Sequence, residues 1–397
     1  MRKRTQGPSL EKKNRRECVQ REGSETPGAV AVRRRAGRRR DERRFRAEAL
    51  EGAIAAIVAA GGSAPAEAQR VAESLVAANL AGHDSHGVGM IPRYVDALLE
   101  GGLVPNRHAE LRFDRGTVLA FDGGFGYGQV VGREAMAAAI GRAKREGVCL
   151  LLLARAHHLG RIGEWAEQAL AEGLVSIHFV NVLSRAIVAP WGGADARFGT
   201  NPITIGIPLP GEPPFVLDMA TSAVAQGKVR VAYNRGERLP PGLLIDERGR
   251  PTRDPRWAVV EPFGALLPFG GHKGYGLAVA AELLGGALTG GGTWHSGDKS
   301  KRRVWNGMTC VLADPAALPL RAAFEVEARA FLASLRKSPV APGFDRVRIA
   351  GEPEREARER RRAEGIPVDA TTWNEILAAA AKLGLEGAHL EALAEAQ

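Results

Sequence analysis

The sequence predicts a mixed α/β protein with helical N- and C-terminal parts. Three observations carry that reading. Apolar residues recur at helical spacing from Phe45 to Leu80, helix-period segments alternate with short apolar runs between residues 117 and 181, and helical spacing returns from Thr372 to Ala394. Hydrophobic residues make up 45% of the 397-residue chain, enough for a substantial core.

Each element has a local reason. Ala49, Leu50, Ile54, Ile57 and Val58 form one apolar face, and Gly61-Gly62 ends that helix. Ser63-Ala64-Pro65-Ala66-Glu67 signals the start of the next, which runs through Val71, Leu75 and Val76. Ile91 to Leu99 reads as a helix stopped by Gly101-Gly102. Thr117 to Phe121 is a short strand, Gly132 to Arg145 a helix and Val148 to Ala154 a buried strand. Glu164 to Ala171 is a helix and Val175 to Asn181 a strand. Residues 203–260 are rich in strand and turn signals, with Pro208, Pro210, Pro213-Pro214 and Pro240-Pro241-Gly242. Gly276 to Leu288 is a helix and Thr309 to Leu312 a strand; Arg321 to Leu335, Thr372 to Leu383 and Glu386 to Ala394 are helices.

The net charge of +10 invites a nucleic-acid reading, and its distribution opposes it. Residues 1–45 hold 16 basic and 6 acidic side chains, while the rest of the chain holds 39 of each. The basic extension, with Arg33-Arg34-Arg35 and Arg38-Arg39-Arg40, lacks the apolar residues needed to order itself. Non-specific nucleic-acid contact is open to it; an upstream extension without a role is the plainer reading. The longest apolar stretches, such as Val148 to Ala154, are too short to span a bilayer, and no apolar core follows the basic N-terminus as in a signal peptide. Cys18, Cys149 and Cys310 are too far apart for a zinc site or a disulfide framework, which suits a reducing, cytoplasmic setting.

Three histidine-centred segments carry the chemistry: Asp84-Ser85-His86-Gly87, His157-His158-Leu159-Gly160-Arg161 and Gly271-His272-Lys273-Gly274-Tyr275-Gly276. Imidazole passes protons near neutral pH, and glycine lets a ligand come close. No metal-ligand spacing or nucleophile elbow accompanies them, so proton transfer on a small molecule is the first reading. A weaker signal is Gly126-Tyr127-Gly128 followed by Gly132, similar to a loosened dinucleotide loop. The stricter pattern needs glycine where this chain has Val131, and the next strand ends in Ala154-Arg155 without an acid for a ribose. A close-packed strand-to-helix turn is the competing reading.

Four segments in one order resemble the malate/L-lactate dehydrogenase type-2 family of NAD(P)-dependent oxidoreductases. They are Asp84-Ser85-His86-Gly87-Val88, Phe198-Gly199-Thr200-Asn201-Pro202, Leu217-Asp218-Met219-Ala220-Thr221-Ser222 and His272-Lys273-Gly274-Tyr275-Gly276-Leu277. Ala78 to Pro92, His157 to Gln168 and Gly365 to Ala370 extend the resemblance from about residue 45 to the C-terminus. It implies a non-Rossmann NAD(P)-binding fold, usually dimeric. It also suggests a division into a disordered basic extension over 1–45, a helical part over 46–120 carrying the catalytic histidine, an α/β cofactor-binding domain over 121–310, and a helical part over 311–397 that returns to the first. The implied reaction is hydride exchange between a nicotinamide and C2 of a 2-oxo or 2-hydroxy acid. NAD is the expected cofactor, with NADP the alternative. A homodimer acting on a small molecule, without membrane or specific nucleic-acid partners, is expected.

The resemblance also assigns roles. His86 is the acid/base, with Ser85 and Asp218 orienting it and stabilising its protonated form, as a carboxylate does for an imidazole. His158 is a second catalytic candidate. Gly160, Arg161, Ile162, Val216, Leu217, Asp218, Met219, Ala220, His272, Asn306 and the Gly351-Glu352-Pro353-Glu354 turn resemble cofactor contacts, as does His86 itself. Thr200, Asn201 and Lys273 are weaker candidates. Some branches carry arginine four residues after the catalytic histidine, where it clamps the substrate carboxylate. Here Met90 stands there and cannot make that contact. Arg93 and Arg185 are the alternatives, and Met90 as apolar surface would favour larger or aromatic 2-oxo acids. A reductase of cyclic 2-imino acids is the competing enzyme reading.

Overall fold

A computed structural model describes residues 42–209, 211–295 and 303–395. The expectations placed on residues 1–41, including Cys18, and on Pro210 lie outside the described residues.

The chain opens with β1 (Glu42–Phe45), α1 (Ala47–Ala60) and α2 (Pro65–Leu80). Two 3-10 turns, Asp84–His86 and Val88–Met90, lead into α3 (Ile91–Leu99). Then come β2 (Glu110–Arg115), β3 (Val118–Asp122), α4 (Gly128–Glu146), β4 (Val148–His157), α5 (Gly163–Ala171) and β5 (Val175–Leu183). β6 (Ile203–Ile207), β7 (Phe215–Met219), α6 (Gln226–Asn234), β8 (Leu244–Ile245), β9 (Pro251–Thr252), α7 (Arg256–Val259) and β10 (Ala265–Leu266) follow. α8 (His272–Ala281) runs into a π-helical segment, Glu282–Leu288. The chain continues with β11 (Trp305–Ala313), α9 (Arg321–Arg336), α10 (Glu352–Glu364), β12 (Ile366–Asp369), α11 (Ala370–Ala381) and α12 (Gly387–Glu395).

β2-β3-β4-β11-β5-β6-β7 form a seven-stranded sheet. β3 and β4 are parallel, joined through α4; every other neighbouring pair in this sheet is antiparallel. This mixed order is not the all-parallel sheet of a dinucleotide-binding Rossmann domain. β11 sits between β4 and β5 and is buried at Trp305 to Cys310. Its pairing keeps Met308, Cys310 and Leu312 in the core that β4 and α4 supply with Leu151, Leu153, Val131 and Met136. A second core joins the two ends of the described chain: Leu50, Ile54, Leu75 and Tyr94 cluster with Ile366, Trp373, Ile376 and Leu390.

Several expectations change. Residues 42–45, placed in the disordered extension, form β1, which pairs antiparallel with β12. Arg43 explains the order: both its terminal nitrogens bond Glu391, each at 2.8 Å, and the neighbouring Phe45 ring lies 4.6 Å from Trp373. The boundaries at 120/121 and 310/311 cut through β3 and β11, because both strands belong to the central sheet. Residues 203–260, read as strand and turn, contain helix α6. The long helix expected from Gly276 begins at His272 and widens to a π-helix after Ala281. Among the described residues no helix is long and apolar enough to cross a membrane.

The glycine loop before α4 also resolves. A methyl group on Gly128 would overlap the carbonyl oxygens of His157 and His158, and one on Gly132 would sit 2.9 Å from the Leu159 and Trp165 side chains. The protein's own chain fills the space that a pyrophosphate would need, so this is a close-packed strand-to-helix turn.

Two buried histidines in the sheet, His157 on β4 and His178 on β5, make stability depend on acid. His157 and His178 are buried, and each leaves its Nδ1 without a hydrogen-bond partner. Burial pushes the pKa of His157 down to about 3 and of His178 to about 4. The folded protein therefore holds both neutral where the unfolded chain, near the ordinary 6.5, takes up protons. Their contribution is complete above about pH 6.5 and is lost as pH falls toward 4. Urea unfolding at pH 7 and pH 5 should show stability falling by roughly 1.4 kcal/mol per pH unit for each histidine in that window. A His178→Phe variant should show a smaller slope.

Candidate active site

The two 3-10 turns after α2 place His86, and Asn79 near the end of α2 holds them. Asn79 is 2% exposed. Its Oδ1 accepts from Val88 N at 2.8 Å and its Nδ2 donates to Asp84 Oδ1 at 2.7 Å. Arg361 on α10 clamps Asp84 from outside, with Nη2 3.0 Å from Oδ2. An Asn79→Ala variant strands Val88 N and leaves Asp84 to Arg361 alone, and should lose about 1–3 kcal/mol of stability in urea melts together with part of its turnover.

His86 lies half-buried between three groups. Ser85 Oγ is 3.1 Å from its Nδ1. The His158 ring stacks on it at 5.6 Å with 9° between planes. His83 stands on the other side, its ring centroid 6.5 Å away and its Nε2 3.2 Å from Glu354 Oε1. Burial pushes the His86 pKa down to about 4, while the charge of Asp218 works in the opposite direction.

His158 is 8% exposed. Gln129 Nε2 donates to Tyr94 Oη at 2.8 Å, and the same oxygen lies 2.7 Å from His158 Nδ1, which it engages by a hydrogen bond. Burial and then the charges of His86, His157 and Arg93 hold its pKa well below the ordinary value. The stacked pair is unequal in one respect: Asp218 favours the imidazolium of His86 against the opposing charges of His83 and Arg161, whereas the charges bearing on His158 are all cationic.

Asp218 on β7 does not hydrogen-bond His86. Its Oδ2 accepts from Gly163 N at 2.9 Å and its Oδ1 from Thr204 Oγ1 at 2.9 Å. It acts on His86 through space, from a position fixed by α5 and β6. Arg161, 3% exposed, lies 3.9 Å from Asp218 Oδ2 and bonds Glu167, which also pairs with Arg358 at 2.6 Å. Its Nη1 has no hydrogen-bond partner.

The remaining candidates fall into groups. Val216 N donates to Ala350 O at 3.2 Å, which sets Val216, Leu217, Met219 and Ala220 beside Gly351, Glu352, Pro353 and Glu354. These four are not a turn: Gly351 caps α10 and the others form its first turn. His272 and Lys273 start α8, exposed, in a loop that Phe269 N ties to Thr221 O at 3.0 Å. Gly160 and Ile162 are buried on either side of Arg161. Asn306 is committed to backbone: its Oδ1 accepts from Leu159 N at 2.8 Å and its Nδ2 donates to Asn181 O at 2.9 Å. It fixes the His158–Gly160 segment. Asn201 is engaged likewise with Val182 N, Ala278 O and Glu282 Oε2, and the carbonyl of Thr200 accepts from Thr221.

Met90 is 8% exposed and belongs to the helical core with Ile91 and Trp373. So little open surface gives the expectation of an aromatic-binding wall at Met90 no support. Arg93 and Arg185 are both exposed. Sequence reasoning missed Tyr94, Gln129 and Glu167. Tyr94 lies in an apolar helix and reads as core, which it also is.

Residues 45–377 match the family Malate/L-lactate dehydrogenase. Hydroxycarboxylate dehydrogenase B of Escherichia coli is 43% identical over 354 residues, 89% of this chain and 98% of that protein. L-lactate dehydrogenase of Cupriavidus necator is 42% identical over 327 residues, 81% of this chain and 93% of that protein. The solved structure of sulfolactate dehydrogenase from Methanocaldococcus jannaschii has a TM-score of 0.78 and 31% identity, covering 87% of this chain and 99% of that one. With a family match over most of its length and an unequal histidine pair at its centre, this chain belongs to the malate/L-lactate dehydrogenase family and is a 2-hydroxyacid dehydrogenase.

Proposed function

We propose that this chain reduces 2-oxo acids to 2-hydroxy acids, reversibly, with His86 as acid/base and NAD as cofactor, NADP being the alternative. The observation that supports it is the stacked pair in which Asp218 favours protonation of His86 alone. Nη1 of buried Arg161, which makes no hydrogen bond and stands 3.9 Å from Asp218 Oδ2, fits a polar group of a nicotinamide nucleotide, since a buried donor without a hydrogen bond is costly. Residues 160–162, 216–220 and 351–354 would hold that nucleotide, which when bound supplies or accepts the hydride at C2.

The chain's own residues handle the proton. Addition at C2 leaves an alkoxide. With Nδ1 turned to Ser85 Oγ, His86 gives its proton from Nε2. Burial lowers the pKa of the imidazolium and makes it a ready donor, and the charge of Asp218 offsets part of that cost. The substrate carboxylate and the growing alkoxide add negative charge beside His86, which raises its proton affinity when the donor is needed. In the reverse direction neutral His86 takes the proton.

The buried free thiols Cys149 and Cys310 suit a cytoplasmic setting. A homodimer would cover apolar side chains that α9 leaves open, among them Val326 and Phe331, 65% and 58% exposed. The test is the purified protein with NADH or NADPH and pyruvate, oxaloacetate, phenylpyruvate or a cyclic imino acid. Oxidation of one nucleotide with a 2-oxo acid is the expected result. Turnover confined to the imino acid would move the chain to the competing reading, and failure to bind either nucleotide would refute both.

A further inference from the structure

We propose that Arg230 on α6 joins Arg93 and Arg185 to form the subsite that anchors the substrate carboxylate, in place of an arginine at position 90. The inference rests on the 2-oxo acid reading above and adds the residues that select the acid.

The three arginines come from separate elements, and the contacts of those elements bring them toward the catalytic turn. Arg93 on α3 precedes Tyr94, whose hydroxyl holds His158. Arg185 follows β5; its Nη2 donates to Ala258 O at 3.2 Å and its guanidinium lies 3.6 Å over the Phe263 ring. Gln226, at the start of α6, donates to the same Ala258 oxygen at 2.7 Å. Helix α6 thus shares an anchor with Arg185. It also reaches the catalytic turn: a methyl on Gly227 would lie 3.0 Å from Ser85 Cβ. Arg230 is three residues further along the helix, on the face that meets Ser85.

The charges are uncompensated. Among the described residues none of the three makes an ion pair with an acidic side chain. Burial and the charge of Arg230 lower the pKa of Arg93. Burial, Arg93 and Arg230 lower that of Arg185, against which Glu261 acts alone. Arg93 is also one of the charges that disfavour protonation of His158. Cations this close repel one another, and an anion between them relieves the repulsion. Guanidinium is the group that takes a carboxylate through two parallel hydrogen bonds.

The test compares wild type, Arg230→Met and Arg230→Lys on a 2-oxo acid, on its methyl ester, and in binding of oxamate, an unreactive 2-oxo acid mimic, to the protein with reduced nucleotide. Arg230→Met should raise KM for the acid about 10- to 100-fold with kcat changed less than about threefold. Oxamate should weaken in proportion, the ester should be unaffected, and lysine should restore part of the loss. Arg93→Met should act in the same direction. An unchanged KM and oxamate affinity in Arg230→Met, or equal damage to acid and ester, would overturn the proposal, as would failure of wild type to bind oxamate. Wild type that binds oxamate through Arg230 yet turns over no 2-oxo acid would uphold the subsite and refute the reaction. Thermal melts separate these outcomes from misfolding.

Discussion

His86→Ala should lower kcat roughly 100- to 10,000-fold, the range expected when a general acid is removed. The size follows from the surroundings. His158, the imidazole stacked on His86, is poorly placed to substitute. Its Nδ1 is taken by Tyr94, and burial and neighbouring cations oppose its charging. Ser85→Ala should have a smaller effect, about tenfold or less, because the hydroxyl orients Nδ1 and does not reach the transferred proton. Single-turnover measurements across pH separate the two variants. Ser85→Ala should keep the His86 titration, and His86→Ala should abolish it. Activity of His86→Ala within tenfold of wild type would move the proton donor elsewhere.

Gly128→Ala should be among the most destabilising single changes in the chain, costing about 3 kcal/mol or more. The added methyl meets the His157 and His158 carbonyl oxygens, which are backbone and cannot rotate away. Relief requires α4 to draw back from the end of β4, and His158 stands on that end. Stability and turnover should fall together. Urea unfolding gives the first quantity and the spectrophotometric assay the second. A change of under 1 kcal/mol would mean that the turn yields more readily than its packing indicates.

Elements that bury an apolar face were legible in the sequence. α1, α2, α4, β4, β5 and α11 all lie close to where the spacing puts them. Those that do not were missed. In α10, Glu-Pro-Glu-Arg-Glu-Ala-Arg-Glu-Arg-Arg-Arg-Ala-Glu, Ala357 is the one buried residue, so there is no apolar stripe to count. It is held by charge: Glu354 to His83, Arg358 to Glu167, Arg361 to Asp84. Its end signals were present in the sequence, with Pro353 and two glutamates in the first turn, arginines in the last and Gly365 beyond. β2 was missed because all its residues are exposed, as an edge strand's can be.

The site divides the same way. Motif resemblance put His86, Ser85, His158 and Arg161 in one neighbourhood, and the structure brings them there. It did not reveal that Asp218 works at a distance, because that depends on Gly163 and Thr204, contributed by other elements. Nor did it single out Arg230, which lies in a stretch whose prolines masked a nine-residue helix.

The pairing of β1 with β12 sets an order of events during synthesis on the ribosome. The helical core needs Trp373, Ile376 and Leu390 beside Leu50 and Ile54. The turn that carries His86 is braced by Glu354 and Arg361. β1 and α1 must therefore wait for elements more than 300 residues later, and contacts so distant in sequence form slowly. Meanwhile the apolar faces of α1 and α2 stand open to other chains and to chaperones. An interrupted translation product would carry every catalytic residue yet lack the frame that aims them.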